Sequence, residues 1–128
     1  LKTNLVPLPL LHAQLFPIIA KAVLEAGDKG VFDAVAGGSG TIDEVAAVCR
    51  LNRKATGELM GLLTTLGYFQ YQNERFRLTP MARKWTLSSD RGSTDGMMVF
   101  NNRVVWPWLE QLGTYLQTGE GIQYHDHL

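Results

Sequence analysis

Residues 67–85, GYFQYQNERFRLTPMARKW, restrict the fold more than any other stretch of the chain. Two short alternating runs, Tyr68–Tyr71 and Arg75–Leu78, flank the polar tripeptide Gln72, Asn73 and Glu74, which is the pattern of a tight antiparallel hairpin. Just upstream, residues 54–66 place Ala55, Leu59, Leu62, Leu63 and Leu66 on one face of a helix that Gly67 ends. Before it, beyond the turn RLNR, Ile42, Val45, Ala46 and Cys49 recur at i, i+3, i+4 and i+7, and Thr41 with Glu44 has the spacing of a capping box. Cys49 reads as a small core residue on that face. Helix, short turn, helix and hairpin in this order make a winged helix-turn-helix. After the hairpin, Thr79 suits a helix N-cap and Pro80 the first helical position, which opens the short helix MARKW.

A winged helix usually grips DNA with its second helix, so charge decides the next step. Twelve Lys plus Arg stand against twelve Asp plus Glu, a net charge of zero, whereas affinity built on phosphate contacts calls for a basic surplus. The outward face expected for the second helix offers Thr56, Glu58, Gly61, Thr64 and Thr65, with Arg53 and Lys54 only at its start. Across residues 41–85 the basic surplus is three, seven against four, which a solvated face explains as well as a groove does. The expectation is no nucleic-acid partner, with a winged-helix transcription regulator as the alternative.

The flanking segments are apolar on several sides. Between Leu5 and Leu24 eleven large aliphatic or aromatic residues crowd together, broken by Pro7, Pro9 and Pro17. Because each proline removes a donor and crowds the preceding turn, an extended lead-in, a short helix near residues 10–15 and a firmer helix from Pro17 to about Ala26 are expected. GVFDAVAGG should form one helical turn. At the other end, SSDRGSTDG reads as a polar connector, and the segment after it resumes helical character, interrupted and restarted at Pro107, with the last helix running to about Gln117. A single domain covers one face of such helices; the rest calls for a second surface, as in an intertwined homodimer. The expected fold class is mainly α: a winged helix-turn-helix with a small β-hairpin wing, flanked by N- and C-terminal dimerisation helices. The expected divisions are 1–30 (dimerisation segment), 31–88 (winged-helix core) and 89–128 (linker and C-terminal helices). No apolar run is expected to reach the roughly 18 residues of a bilayer span, no signal-peptide cleavage pattern is present, and the lone Cys49 fits a reducing compartment. These point to a cytoplasmic protein with no membrane partner. The start at Leu1 and the ending QTGEGIQYHDHL are what a piece of something longer would show.

Catalytic apparatus is sparse. The glycines of AGGSGT follow no parallel strand, so they do not form a nucleotide loop, and no βαβ pattern occurs. His125 and His127 around Asp126 have weak metal-ligand spacing, so no metal is expected. His12 lies in the apolar N-terminal region and reads as a structural or interface histidine rather than a base, with a substrate-facing role as the alternative. No Ser, His and Asp arrangement can be assembled, and no catalytic residue is assigned.

The succession AVLEAGDKGVFDAVAGG, then TIDEVAAVCRLNRKATGELMGLLTTLGYFQYQNERFRLTPMARKW, then WPWLEQLGTYLQTGEG resembles the N-terminal domain of S-adenosylmethionine-dependent O-methyltransferases of small-molecule and natural-product metabolism. The likeness runs from about Pro17 to Gly121; LTP after the wing and the tryptophan-bearing helix ending in TG are its more specific elements. It implies a winged helix used for homodimerisation, and a separate downstream Rossmann-like domain for S-adenosylmethionine and the catalytic base. This chain alone is then expected to bind no cofactor and to be inactive. It also implies that Met98, Phe100, Asn101, Asn102 and Trp106 help wall the acceptor pocket, the two amides being able to orient a hydroxyl on an apolar helix.

Overall fold

Helix α1 (Leu8–Asp28) runs without interruption through Pro17, where the sequence had led us to expect a break. Pro17 costs one backbone hydrogen bond, to Ala13, and both residues lie on the exposed side of the helix, where water can satisfy the freed carbonyl. The result is a 21-residue helix. By length and composition alone it is apolar enough to cross a bilayer, which corrects the expectation that no run reaches that length. The computed structural model describes residues 8–88 and 95–121.

Four further helices and the hairpin build the middle of the chain: α2 (Val31–Ala36), α3 (Ile42–Cys49), α4 (Arg53–Thr65), β1 (Phe69–Gln72), β2 (Arg75–Leu78) and α5 (Pro80–Trp85). The fold is mainly α with one small antiparallel wing. Thr41 caps α3 as expected, accepting from the Glu44 amide. Glu44, however, returns to the amide of Gly40, one residue short of the reciprocal capping box. On α4 the buried stripe is Thr56, Met60 and Leu63, so the inner face is turned by one residue from the expected one: Thr56 points in and Ala55 points out. The Thr56 hydroxyl can be buried because it donates to the Asn52 carbonyl at 2.7 Å.

The wing pairs Phe69 with Leu78, Gln70 with Arg77, Tyr71 with Phe76 and Gln72 with Arg75. Gln72 therefore belongs to the strand, and the turn is the two-residue Asn73-Glu74, both at positive φ (53° and 62°), the backbone of a type I′ hairpin. Phe32, Phe69, Met60, Leu63, Val31 and Val45 are the large fully buried apolar residues. They join α2, α3, α4 and the wing in one core, with the Phe32 ring against Tyr68 and Phe69 at 5.7 and 5.8 Å. Cys49 is half-buried at its edge, and burial, with the nearby Asp33 charge second, pushes its thiol pKa up.

The Gly37–Gly40 loop serves the wing. Its Gly40 carbonyl accepts from the Phe76 amide at 2.7 Å, extending the hairpin by one strand-like contact. Arg75 lies over Gly40, donating to the Gly38 carbonyl at 2.8 Å and to Glu44 at 3.3 Å. A Cβ at position 40 would come within 2.7 Å of that guanidinium, so only glycine lets the side chain cross there.

Past α5, Asp33 fixes the chain by accepting from the Ser88 amide and hydroxyl at 3.1 and 2.7 Å. Helix α6 (Asp95–Phe100) leads into a π-helical turn (Asn101–Val105), then α7 (Trp106–Leu109) and α8 (Leu112–Thr118). Pro107 does not break this segment. The π turn widens the backbone just before the proline, with the Trp106 amide reaching the Asn101 carbonyl, and the break falls instead at Glu110–Gln111.

Candidate functional site

The α6–α7 segment lies against α1 along a seam that changes character from end to end. At its tight end Gly27 meets Met98: a Cβ on residue 27 would lie 3.0 Å from the methionine sulfur, and Met98 is 7% exposed. Lacking a side chain, Gly27 lets the helices approach closely.

The middle of the seam is polar. Asn102, 6% exposed, donates both amide hydrogens to carboxylates, at 2.9 Å to Glu25 Oε1 and 2.9 Å to Asp28 Oδ2. Its oxygen accepts from the Lys21 ammonium. Lys21 and Lys29 each pair with Glu25 at 3.3 Å, and Arg103 Nε donates to Asp28 Oδ1 at 2.8 Å. Every polar atom of the buried amide is thus matched, the condition for such a network to be tolerated. The Asn102 bond, with those from Lys21 and Lys29 behind it, holds the Glu25 carboxyl below its ordinary pKa. Arg103 first, then Asn102, does the same for Asp28, while Asp28 raises the Arg103 pKa.

At the open end, the Lys21 ammonium stands 5.0 Å from the centre of the Trp106 ring, within the range of a cation–π contact. Beyond it α1 and α7 line an open groove of about 610 Å³ that includes His12, Phe16, Ala20, Trp106, Leu109 and Glu110. His12 stacks on Phe16 at 4.4 Å. A second apolar cup of about 240 Å³ lies between Trp108, Leu112 and Tyr115.

Of the five residues expected to wall an acceptor pocket, the structure brings Met98, Asn102 and Trp106 onto the α1 seam. Asn101 is half-buried and Phe100 is 44% exposed. His125, Asp126 and His127 lie outside the described residues. Among the described residues no three His, Cys, Asp or Glu side chains converge as a metal site would require. The sequence reading missed Lys21, Glu25, Asp28 and Arg103. A signal was present: Lys21, Glu25 and Asp28 fall at i, i+4 and i+7 on an otherwise apolar helix, one face that had to meet polar partners.

Much of the remaining apolar surface is uncovered. Phe16 and Ile18 on α1 are 55% and 62% exposed, and Leu109, Leu112 and Leu116 on α7 and α8 are 51%, 55% and 73% exposed.

No protein-family model matches the chain, and no curated protein matches it in sequence. Solved structures do share the fold. Human N-acetylserotonin methyltransferase in complex with S-adenosylmethionine superposes with a TM-score of 0.82 at 18% identity, over 98% of this chain and 39% of that one. NcsB1, an O-methyltransferase from neocarzinostatin biosynthesis in complex with S-adenosylmethionine and 2-hydroxy-5-methyl naphthoic acid, gives 0.75 at 19% identity, over 92% and 36%. An O-methyltransferase family protein from Burkholderia thailandensis gives 0.74 at 18%, over 92% and 35%. The chain has the fold of the N-terminal region of S-adenosylmethionine-dependent O-methyltransferases, and it spans 35 to 39% of the length of these three.

Proposed function

We propose that this chain is the dimerisation and substrate-contacting domain of an S-adenosylmethionine-dependent O-methyltransferase, a cytoplasmic homodimer of secondary metabolism acting on a hydroxyl of a small aromatic or polyketide-like molecule. The observation that carries the proposal is the fold shared over nearly the whole chain with methyltransferases crystallised with that cofactor. The uncovered apolar faces of α1, α7 and α8 supply the dimer surface, and residues 1–30, 31–88 and 89–128 divide as dimerisation segment, winged core and connection to a cofactor domain. Phe100, Asn101 and Trp106 form the acceptor wall, with Met98 and Asn102 behind it. The chemistry fits this division. Methyl transfer needs the sulfonium and the acceptor oxygen held in line, an alignment worth roughly 7 to 11 kcal/mol. A cofactor floor of strand, glycine-rich turn and helix would come from the separate domain.

Two features disfavour the DNA-binding alternative. Arg53 at the start of α4 is engaged by Asp43, and Arg75 on the wing by Glu44, so both pair internally. The proposal is tested by sedimentation and calorimetry on the chain, and by radiolabelled methyl transfer with the longer protein on a panel of phenolic acceptors. A dimer burying more than about 2,000 Å², no heat with S-adenosylmethionine for the chain, and labelled product from the longer protein are expected. A monomer at micromolar concentration refutes the dimer, and a nanomolar, sequence-selective gel shift refutes the methyltransferase reading in favour of a regulator.

A further inference from the structure

The seam between α1 and the π turn carries an inference about how the proposed acceptor wall is held in shape, and it rests on the methyltransferase reading. We propose that Lys21 and Asn102 are positioning residues that fix the Trp106 ring at the mouth of the α1–α7 groove, so that neither needs to touch the acceptor.

Met98, Asn102 and Trp106 are spaced four apart and all meet α1: Met98 at Gly27, Asn102 at Lys21, Glu25 and Asp28, Trp106 at Lys21. On a regular α-helix a row of every fourth residue drifts round the axis by about 40° a step, so over eight residues Trp106 would turn well away. The wider π turn at Asn101–Val105 takes up that drift and keeps the row on α1. The turn therefore sets which way Trp106 faces, and the buried Asn102 at its second residue anchors the turn.

Lys21 transmits the anchor. A lysine ammonium on a four-carbon stem has many rotamers and seldom stays over a ring without restraint. Here Asn102 Oδ1 and Glu25 Oε1 hold it from one side and the Trp106 face receives it on the other. Glu25 is itself aligned by Asn102 and Lys29. Trp106 is only half-buried within the protomer, and there the Lys21 ammonium meets its ring.

The test uses this chain with Trp85→Phe and Trp108→Phe, which leaves Trp106 as the only tryptophan of the three. Acrylamide quenching and the indole NMR resonance then report on that ring, with far-UV circular dichroism as the control for folding. Lys21→Met, at a partly exposed site, and Asn102→Leu are each expected to raise the quenching constant about twofold and to shift the indole resonance. Lys21→Arg, which keeps a cation over the ring, should preserve both signals. Unchanged quenching and resonance in Lys21→Met overturn the proposal, as does loss of both signals in Lys21→Arg. In the longer protein, Lys21→Met should raise the acceptor KM about tenfold and leave the S-adenosylmethionine KM in place; an unchanged acceptor KM with a loosened Trp106 also overturns it. Absence of methyl transfer in the unsubstituted longer protein would remove the functional reading, while the spectroscopic arms still decide whether Lys21 and Asn102 position the ring.

Discussion

Replacing Asp28 with alanine isolates the joint between α1 and the π turn, because that carboxylate is the far anchor of both Asn102 and Arg103. Its side chain is 5% exposed while that of Arg103 is 66% exposed, so the two bonds it accepts are unequal. The exposed Arg103 guanidinium can turn to water, so its share is small. The Asn102 amide hydrogen is buried and would lose a charged acceptor, which costs about 1.5–2 kcal/mol. Asp28→Ala should therefore destabilise the fold by about 2 kcal/mol at neutral pH, or lower Tm by roughly 8 °C for a domain of this size. The loss should also depend on pH. Arg103 and Asn102 hold the Asp28 carboxyl below its ordinary value of 3.8. A group depressed in the folded state contributes fully above the unfolded pKa and loses its contribution as pH falls through the folded one. The gap between parent and variant should thus be full at pH 7 and narrow as pH falls below about 4, the ordinary carboxyl range. Urea unfolding followed by circular dichroism at neutral pH and in acid measures it. A loss under about 0.5 kcal/mol at neutral pH, or one that persists in acid, refutes the claim that this carboxylate braces the seam.

Gly40→Ala should lower the urea midpoint by displacing the Arg75 guanidinium from Gly38 and Glu44, and the loss should vanish in an Arg75→Ala background, which a double-mutant cycle reads directly. Thr79→Ala removes the α5 cap, along with the 2.7 Å bond to the Gly67 carbonyl, for about 1 kcal/mol in chemical denaturation. Glu74→Gly should instead stabilise the chain by about 0.5–1 kcal/mol, because Glu74 sits at φ 62° in the hairpin turn, where a side chain is strained and glycine is not. A lower urea midpoint for that variant would show the turn to be relaxed.

The local elements were legible in the sequence because short-range chemistry sets them. The Thr79-Pro80 helix start, the Thr41 cap and the hairpin each depend on residues within a few positions of one another. The winged arrangement followed from their order, and the resemblance of the whole succession to methyltransferase N-terminal domains pointed to the fold that the solved structures share. The misplaced features depend on what lies across the fold. Thr56 could turn inward because the Asn52 carbonyl four residues back absorbs its hydroxyl, which turned the buried stripe of α4 by one residue. Pro17 and Pro107 were both read as breaks from their own stereochemistry. The first lies where water can satisfy the lost bond, and the second follows a π turn that no local rule announces. The seam was least visible of all: Glu25 and Asn102 are 77 residues apart, and nothing near either residue specifies the other. Sequence by itself determined where the capped helices and the wing begin, because caps, turns and periodicity act over one or two turns of chain. Only the tertiary structure decided which polar groups share a buried joint, since that pairing is set by the desolvation cost of leaving any one of them alone.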